Sequence, residues 1–139
     1  MAGRWQHLPH GADIGVRGIG ASLAEAFEMA ATALTAVTAD PAAVAPLVEI
    51  EINCVAADQE LLLVEWLNAV VYEMATRKML FARYQVHIEE NRLAAKAWGE
   101  TIDENTQDLG AEVKGATCTN LSVACDGNGQ WHAQCIVDV

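Results

Sequence analysis

The sequence predicts an α+β protein in which two main helices pack on a mainly antiparallel sheet. Residues 23–37 and 59–78 carry apolar side chains at helical spacing. The last third of the chain alternates apolar and polar residues, which is typical of strands. The predicted order is strand, helix, strand, helix and then four or more strands. Because no βα unit repeats, antiparallel pairing is favoured.

The first predicted strand covers residues 14–20 and contains glycines at which another backbone can approach closely. Gly18, Gly20 and Ser22 outwardly suggest a phosphate cradle, but the Gly-Lys-Ser/Thr of a P-loop is missing. We therefore expect a tight turn there. Ser22 followed by Glu25 forms a capping box, which predicts that the first helix begins at residue 23.

A loop with two prolines at 40–46 separates this helix from a predicted strand at 47–56. Asp58 is a good N-cap residue and predicts the start of the second helix. This helix is apolar over most of its surface, so we expect it to be the central helix. Trp66 and Tyr72 are predicted core residues, with an interface role as the alternative.

The remaining elements are predicted as strands joined by turns. Residues 111–125 are read either as one long strand or as two strands joined by a bulge, and the turn at 126–129 has the Asn-Gly chemistry of a hairpin. The other predicted strands are 79–89, 93–100 and 130–139, and residues 102–109 are read as polar and irregular.

Length and charge limit the classes of function. The 139 residues predict a single domain, 1–139, with an inserted lobe at about 47–100 as an option. Eight Lys and Arg against nineteen Asp and Glu leave a net charge of −11. Without a broad basic face, direct nucleic-acid binding is disfavoured. The excess of acidic residues either keeps the protein soluble or serves to bind a basic partner protein or a cation.

Two further patterns concern the cellular compartment. The sequence has neither an apolar stretch long enough to span a membrane nor an apolar signal core, so we expect a cytoplasmic protein. The four cysteines form no Cys-x-x-Cys pair, and no histidine stands at zinc-ligand spacing from them. We predict reduced, mostly structural thiols.

One candidate site follows from oxygen ligands at the two ends of the chain. Asp13 precedes the first predicted strand, and Asp138 stands beside Val139 and its terminal carboxylate. If the last strand pairs beside the first, these carboxylates meet and favour a hard divalent cation. The alternative is that Asp138 is simply solvated. His7 and His10 are read as surface or packing residues, with a partner-facing role for His10.

A second candidate pair is weaker. Glu100 ends one predicted strand, and Lys114 stands near the start of the next. A carboxylate beside an amine can perform acid–base chemistry, but such pairs more often form a partly exposed salt bridge. We therefore expect a salt bridge. No Gly-x-Ser-x-Gly elbow or comparable nucleophile arrangement is found in the sequence.

Taken in order, these motifs resemble the archease family over almost the whole chain. The segment from His10 to Val16 is similar to the family's His-Thr-Ala-Asp-Ile-Gly motif, and the helix start at Ser22 follows at the expected distance. The remaining matches are Asp58-x-Glu60-x-Leu62-Leu63-x-x-Trp66-Leu67, Gly99-Glu100, Glu112-Val113-Lys114-Gly115-Ala116-Thr117, Trp131 and Val137-Asp138-Val139.

The resemblance implies a fold in which one strand-helix-strand-strand module is inserted in another. It implies a non-catalytic activator of an RtcB-type RNA ligase in tRNA splicing and RNA repair, which promotes ligase guanylylation and multiple turnover. The alternative is a chaperone-like modulator of a tRNA methyltransferase. The family's metal site maps onto Asp13, Asp138 and Val139, with Ca²⁺ preferred and Mg²⁺ or Mn²⁺ as alternatives. His10, Glu100 and Lys114 are expected to support the surrounding partner-facing surface.

Four positions in three segments depart from the family pattern. Gly11 stands where the family usually has Thr, and Gln107 falls where a His is frequent. Thr117-Cys118-Thr119 replaces a frequent Thr-Tyr-His. These changes leave the expected metal ligands intact, but they remove side chains that could serve a ligase partner.

Overall fold

The structure is a computed structural model, and it describes residues 3–103 and 109–139. The part of the chain so described contains two α-helices, one short 3-10 turn and eight strands. They are β1 (Arg4–His10), β2 (Asp13–Gly20), α1 (Leu23–Thr38), the 3-10 turn (Pro41–Ala43), β3 (Val48–Val55), α2 (Gln59–Arg77), β4 (Met79–Glu89), β5 (Arg92–Thr101), β6 (Gly115–Ala116), β7 (Ser122–Cys125) and β8 (Trp131–Asp138).

The strands form two antiparallel sheets, which confirms the predicted α+β class. The larger sheet has the order β1-β2-β8-β6, and β7 also pairs with β8. The smaller sheet has the order β3-β5-β4 and, with α2, comes from one continuous stretch of chain. This stretch is the strand-helix-strand-strand module, and it is inserted between α1 and β6.

The start of α1 follows from the capping box. The backbone N–H of Glu25 donates to Ser22 Oγ at 3.1 Å, and Glu25 Oε1 accepts from the N–H of Ala21 at 2.8 Å. Two of the free donors at the helix start are thereby satisfied. The predicted helix start at residue 23 is confirmed, and the helix runs one residue beyond its predicted end.

The glycines of β2 bring α1 close to the larger sheet. A Cβ at Gly18 would overlap the carbonyl oxygen of Ala26 and the amide nitrogen of Ala30, which are helix backbone atoms. Gly18 and Gly20 lie inside the strand, so the predicted tight turn is wrong at these positions. The predicted close backbone approach is confirmed, since only residues without a side chain permit it.

Helix α2 covers the smaller sheet and also reaches the larger one. Asp58 caps it, since its Oδ1 accepts from the N–H of Leu61 at 2.8 Å. Trp66 is fully buried, as predicted. Tyr72 is 64% exposed, so its assignment to the core is wrong. The buried residues of α2 lie on one stripe, because its other side faces solvent rather than a further layer.

Two other parts of the larger sheet differ from the prediction. Strand β1 was not predicted, and almost all of its residues are exposed. Instead of one long strand at 111–125, the structure has β6 and β7, separated by residues 117–121. Asn120 has a left-handed φ of 52°, which interrupts extended pairing. The alternative of two strands is therefore the correct one, although both are short.

One hydrophobic core joins the two modules. It unites Val16 of the larger sheet and Leu34 of α1 with Trp66 of α2 and Phe81 of β4. All four side chains are fully buried. Neither helix has the length and apolar character needed to cross a membrane, in the ranges the structure describes.

Candidate functional site

The pairing of β2 with β8 creates an acidic end of the larger sheet. Ile14 faces Val137 in this antiparallel pair. The ladder ends at this pair, and Asp13 and Asp138 are the next residues of the two strands, so extending the register by one residue places them opposite each other. Residues directly opposite one another on neighbouring strands share a face of the sheet, with their Cβ atoms about 5 Å apart. The expectation that the last strand pairs beside an N-terminal strand is confirmed.

His10 belongs to the same row. Strands β1 and β2 form a hairpin in which His10 faces Asp13, and Gly11 in the turn has a φ of 59°. A glycine tolerates this left-handed conformation without strain. His10, Asp13 and Asp138 therefore stand side by side across three strands. We call these three residues the acidic row.

Lys114 and Val139 border the acidic row. The backbone N–H of Lys114 donates to the carbonyl oxygen of Asp138 at 2.8 Å, so the chain just before β6 runs alongside it. Val139 is half-buried and packs against the core. The structure thus places His10 and Lys114, which the sequence singled out separately, beside the predicted carboxylates.

In the part of the chain that the structure describes, the carboxylates of the acidic row form no ion pair with a basic side chain. Within residues 3–103 and 109–139, the ion pairs with N···O of 4.0 Å or less join Arg77 to Glu73, His87 to Glu89 and His132 to Asp126. None of them involves Asp13 or Asp138. Two neighbouring carboxylates without a paired cation repel each other, and a bound divalent cation relieves this repulsion.

Side chains alone do not complete a metal site. Among the residues that the structure describes, no group of three or more His, Cys, Asp or Glu is arranged to hold a metal ion. The predicted set relies on only two aspartate side chains and takes its third oxygen donor from Val139. Oxygen donors of this kind fit Ca²⁺ or Mg²⁺ rather than a soft metal.

Glu100 lies away from the acidic row. It belongs to β5 of the smaller sheet, and its Oε2 accepts a hydrogen bond from the N–H of Ala45. The salt bridge expected between Glu100 and Lys114 is not formed in the part of the chain that the structure describes. The predicted salt bridge is wrong because Glu100 instead accepts a hydrogen bond from the loop that leads into β3.

Two of the four cysteines, Cys54 and Cys135, behave as structural residues. All four are free thiols. Burial raises the pKa of Cys135 to about 12. Burial, with a smaller effect of Glu65, raises the pKa of Cys54 to about 11. Both thiols are therefore protonated and unreactive at neutral pH. Of the family departures, Cys118 is exposed and Gln107 lies outside the described residues.

One polar contact near the acidic row was missed by the sequence analysis. Asn68 Oδ1 on α2 accepts from the N–H of Ala116 in β6 at 2.8 Å. The sequence shows an asparagine within a largely apolar helix, but this does not reveal a backbone partner 48 residues away.

The fold and the acidic row define a small two-module α+β protein with two carboxylates at one end of its larger sheet. The sequence profile described as "Archease protein family (MTH1598/TM1083)" matches residues 5–139. The chain is 34% identical to the protein archease of Pyrococcus furiosus, covering 98% of this chain and 99% of that protein. It is 36% identical to the protein archease of Thermococcus gammatolerans, with the same coverage.

A solved structure supports the same assignment. The solution structure of Methanobacterium thermoautotrophicum protein 1598 superposes with a TM-score of 0.85 and is 29% identical, covering 97% of this chain and 98% of that one. The chain belongs to the archease family.

Proposed function

We propose that this protein activates an RNA ligase of the RtcB type and performs no reaction of its own. Family membership supports the role, and the juxtaposition of Asp13 and Asp138 in the acidic row is the observation that carries it. The net charge of −11 suits a protein partner with a basic, phosphate-binding cleft rather than RNA itself. A cytoplasmic location is part of the same proposal.

The proposed cation ligands are Asp13, Asp138 and Val139. Ca²⁺ is the preferred occupant, with Mg²⁺ and Mn²⁺ as alternatives. A bound cation would supply positive charge that can attract phosphate oxygens of a nucleotide. The protein's own residues hold the two aspartates on adjacent strands, where the hydrogen bonds of β2 and β8 restrict their separation.

The acidic row and its surroundings would form the surface that meets the ligase. His10 is exposed beside Asp13, and Lys114 is exposed beside Asp138. We assign both of them to partner contact. Glu100 stays a supporting residue at most, because its carboxylate already holds the backbone of Ala45.

Ligase guanylylation under multiple-turnover conditions tests this proposal. Purified cognate ligase is assayed with wild-type protein, with Asp138→Asn and with Glu51→Gln. Glu51 is an exposed acid of β3 in the smaller sheet, so it controls for the loss of one negative charge. We expect acceleration by wild type and Glu51→Gln, and loss of it with Asp138→Asn. Equal acceleration by all three proteins would reject the role of the acidic row.

A second candidate function is chaperone-like binding to a tRNA methyltransferase. Exposed apolar side chains favour it, since Leu47 is 75% exposed, Val55 65% and Tyr72 64%. This function should depend on apolar surface and persist without metal. Light scattering of an aggregating methyltransferase, measured with this protein in the presence and absence of a chelator, separates the two functions.

A further inference from the structure

Strand β6 is a two-residue strand that runs beside Asp138. Gly115 faces Asp138 and Ala116 faces Val137. Backbone hydrogen bonds flank this pair, with Lys114 N–H donating to the oxygen of Asp138 at 2.8 Å and Thr117 N–H to that of Ile136 at 3.0 Å. So short a strand adds few bonds of its own, and its position needs support from elsewhere.

Asn68 provides this support from α2. Its Oδ1 accepts from the N–H of Ala116 at 2.8 Å, on the side of β6 that faces away from β8. The side-chain amide occupies the place that a further strand would take. A Cβ added to Gly115 would lie 3.2 Å from the same Oδ1, so the glycine leaves room for the amide.

The helix that carries Asn68 is itself firmly anchored. Trp66, Leu67 and Val70 are fully buried in the core. Trp66 Nε1 also donates to the carbonyl oxygen of Phe27 at 3.0 Å, which restricts rotation of α2 about its axis. Asn68 therefore presents its amide from a rigid element, and β6 is held between α2 and β8.

We propose that Asn68 is a positioning residue for the acidic row, an inference that rests on the proposed cation-binding function. By holding Ala116, it keeps the chain at Lys114 in register with Asp138. Loss of the amide oxygen would leave the Ala116 N–H without this acceptor and loosen the border of the acidic row. Substitution of residues that orient metal ligands through such contacts typically lowers the metal affinity by about 10–100-fold.

Three variants test this inference. Asn68→Leu keeps the approximate shape and removes the acceptor, whereas Asn68→Asp retains an acceptor oxygen. Asn91→Leu is the matched control, because Asn91 Nδ2 donates to the backbone oxygen of Ala57 at 2.9 Å, in the hairpin of the smaller sheet. The readouts are hydrogen exchange of the Lys114 amide and calorimetric titration with Ca²⁺ alone.

We expect Asn68→Leu to increase the hydrogen-exchange rate of the Lys114 amide about 10-fold. It should also weaken Ca²⁺ binding by about 10-fold. Asn68→Asp should restore slow exchange, and Asn91→Leu should change neither readout. Unchanged exchange in Asn68→Leu, or equal effects of Asn68→Leu and Asn91→Leu, would overturn the inference. Wild-type protein that takes up no Ca²⁺ would instead overturn the proposed function, and with it the site that Asn68 is proposed to position.

Discussion

The indole nitrogen of Trp66 donates to the backbone oxygen of Phe27 at 3.0 Å, and both side chains are fully buried. Trp66 belongs to the inserted module, and Phe27 belongs to the helix of the module that receives it. This hydrogen bond therefore joins the two halves of the fold. Because it fixes how α2 faces α1, it also determines where Asn68 meets β6.

Replacing Trp66 by Phe should destabilise the protein by about 2–3 kcal/mol. The change removes one buried hydrogen bond and leaves a cavity beside Phe27. Urea unfolding followed by circular dichroism measures the loss. Trp5→Phe is the control, because Trp5 is 38% exposed and lies on an edge strand. A Trp66→Phe variant as stable as Trp5→Phe would contradict the assigned role.

A second buried hydrogen bond links α1 to the smaller sheet. Thr35 Oγ1 and Tyr84 Oη are 2.6 Å apart, and Thr35 is fully buried. Burial raises the pKa of Tyr84 above its usual range, so the phenol stays protonated. Tyr84→Phe leaves Thr35 without this partner and should cost about 1–3 kcal/mol.

The double variant Thr35→Val/Tyr84→Phe distinguishes this effect from simple loss of packing. Removing both polar groups leaves neither unsatisfied, so the double variant should be less destabilised than the sum of the two single variants. Chemical denaturation of all four proteins supplies the comparison. Strict additivity would show that the hydroxyl groups do not depend on each other.

Periodicity predicted the elements whose apolar residues face the core. The predicted starts of α1 and α2 were correct because capping residues mark them. The predicted range of β4 was correct because apolar and polar residues alternate clearly along it. Strand β1 was missed because it is exposed on both faces and contains Pro9, so no alternation marks it. Tyr72 was assigned to the core because an apolar sequence does not show which stripe of a helix meets solvent.

The candidate site was only partly accessible from sequence. Asp13 and Asp138 meet only if the strand that begins at Asp13 pairs with the last strand, and the chemistry of a shared cation suggested that these strands pair. The register that aligns Asp13 with Asp138 depends on the whole sheet. Glu100 and Lys114 were expected to pair because they lie in neighbouring segments, yet these segments enter different sheets.

The close packing of α1 on β2 predicts a strong effect at Gly18. Gly18→Ala would place a methyl group against the backbone of Ala26 and Ala30, which cannot move without displacing the helix. We expect a loss of about 3 kcal/mol or more. Gly127→Ala is the control, since a Cβ there meets no atom within 4 Å. Thermal unfolding of both variants checks this, and similar melting temperatures would argue against close packing.

Glu28 predicts a pH-dependent stability. Desolvation by burial raises the pKa of the Glu28 carboxyl, and the nearby Glu25 raises it further. The backbone N–H of Val86 donates to Glu28 Oε2 at 2.8 Å and partly offsets this rise. The folded state therefore holds the proton at pH values where the unfolded state has released it. Stability from this group is greatest below the unfolded pKa of about 4.5 and falls as pH rises through the folded pKa.

Glu28→Gln keeps an acceptor for Val86 without the charge, so it should raise the melting temperature at pH 7 and lose this advantage below pH ~4. Melting temperatures of both proteins across this range decide the point, and a constant difference would assign the effect to something other than ionisation.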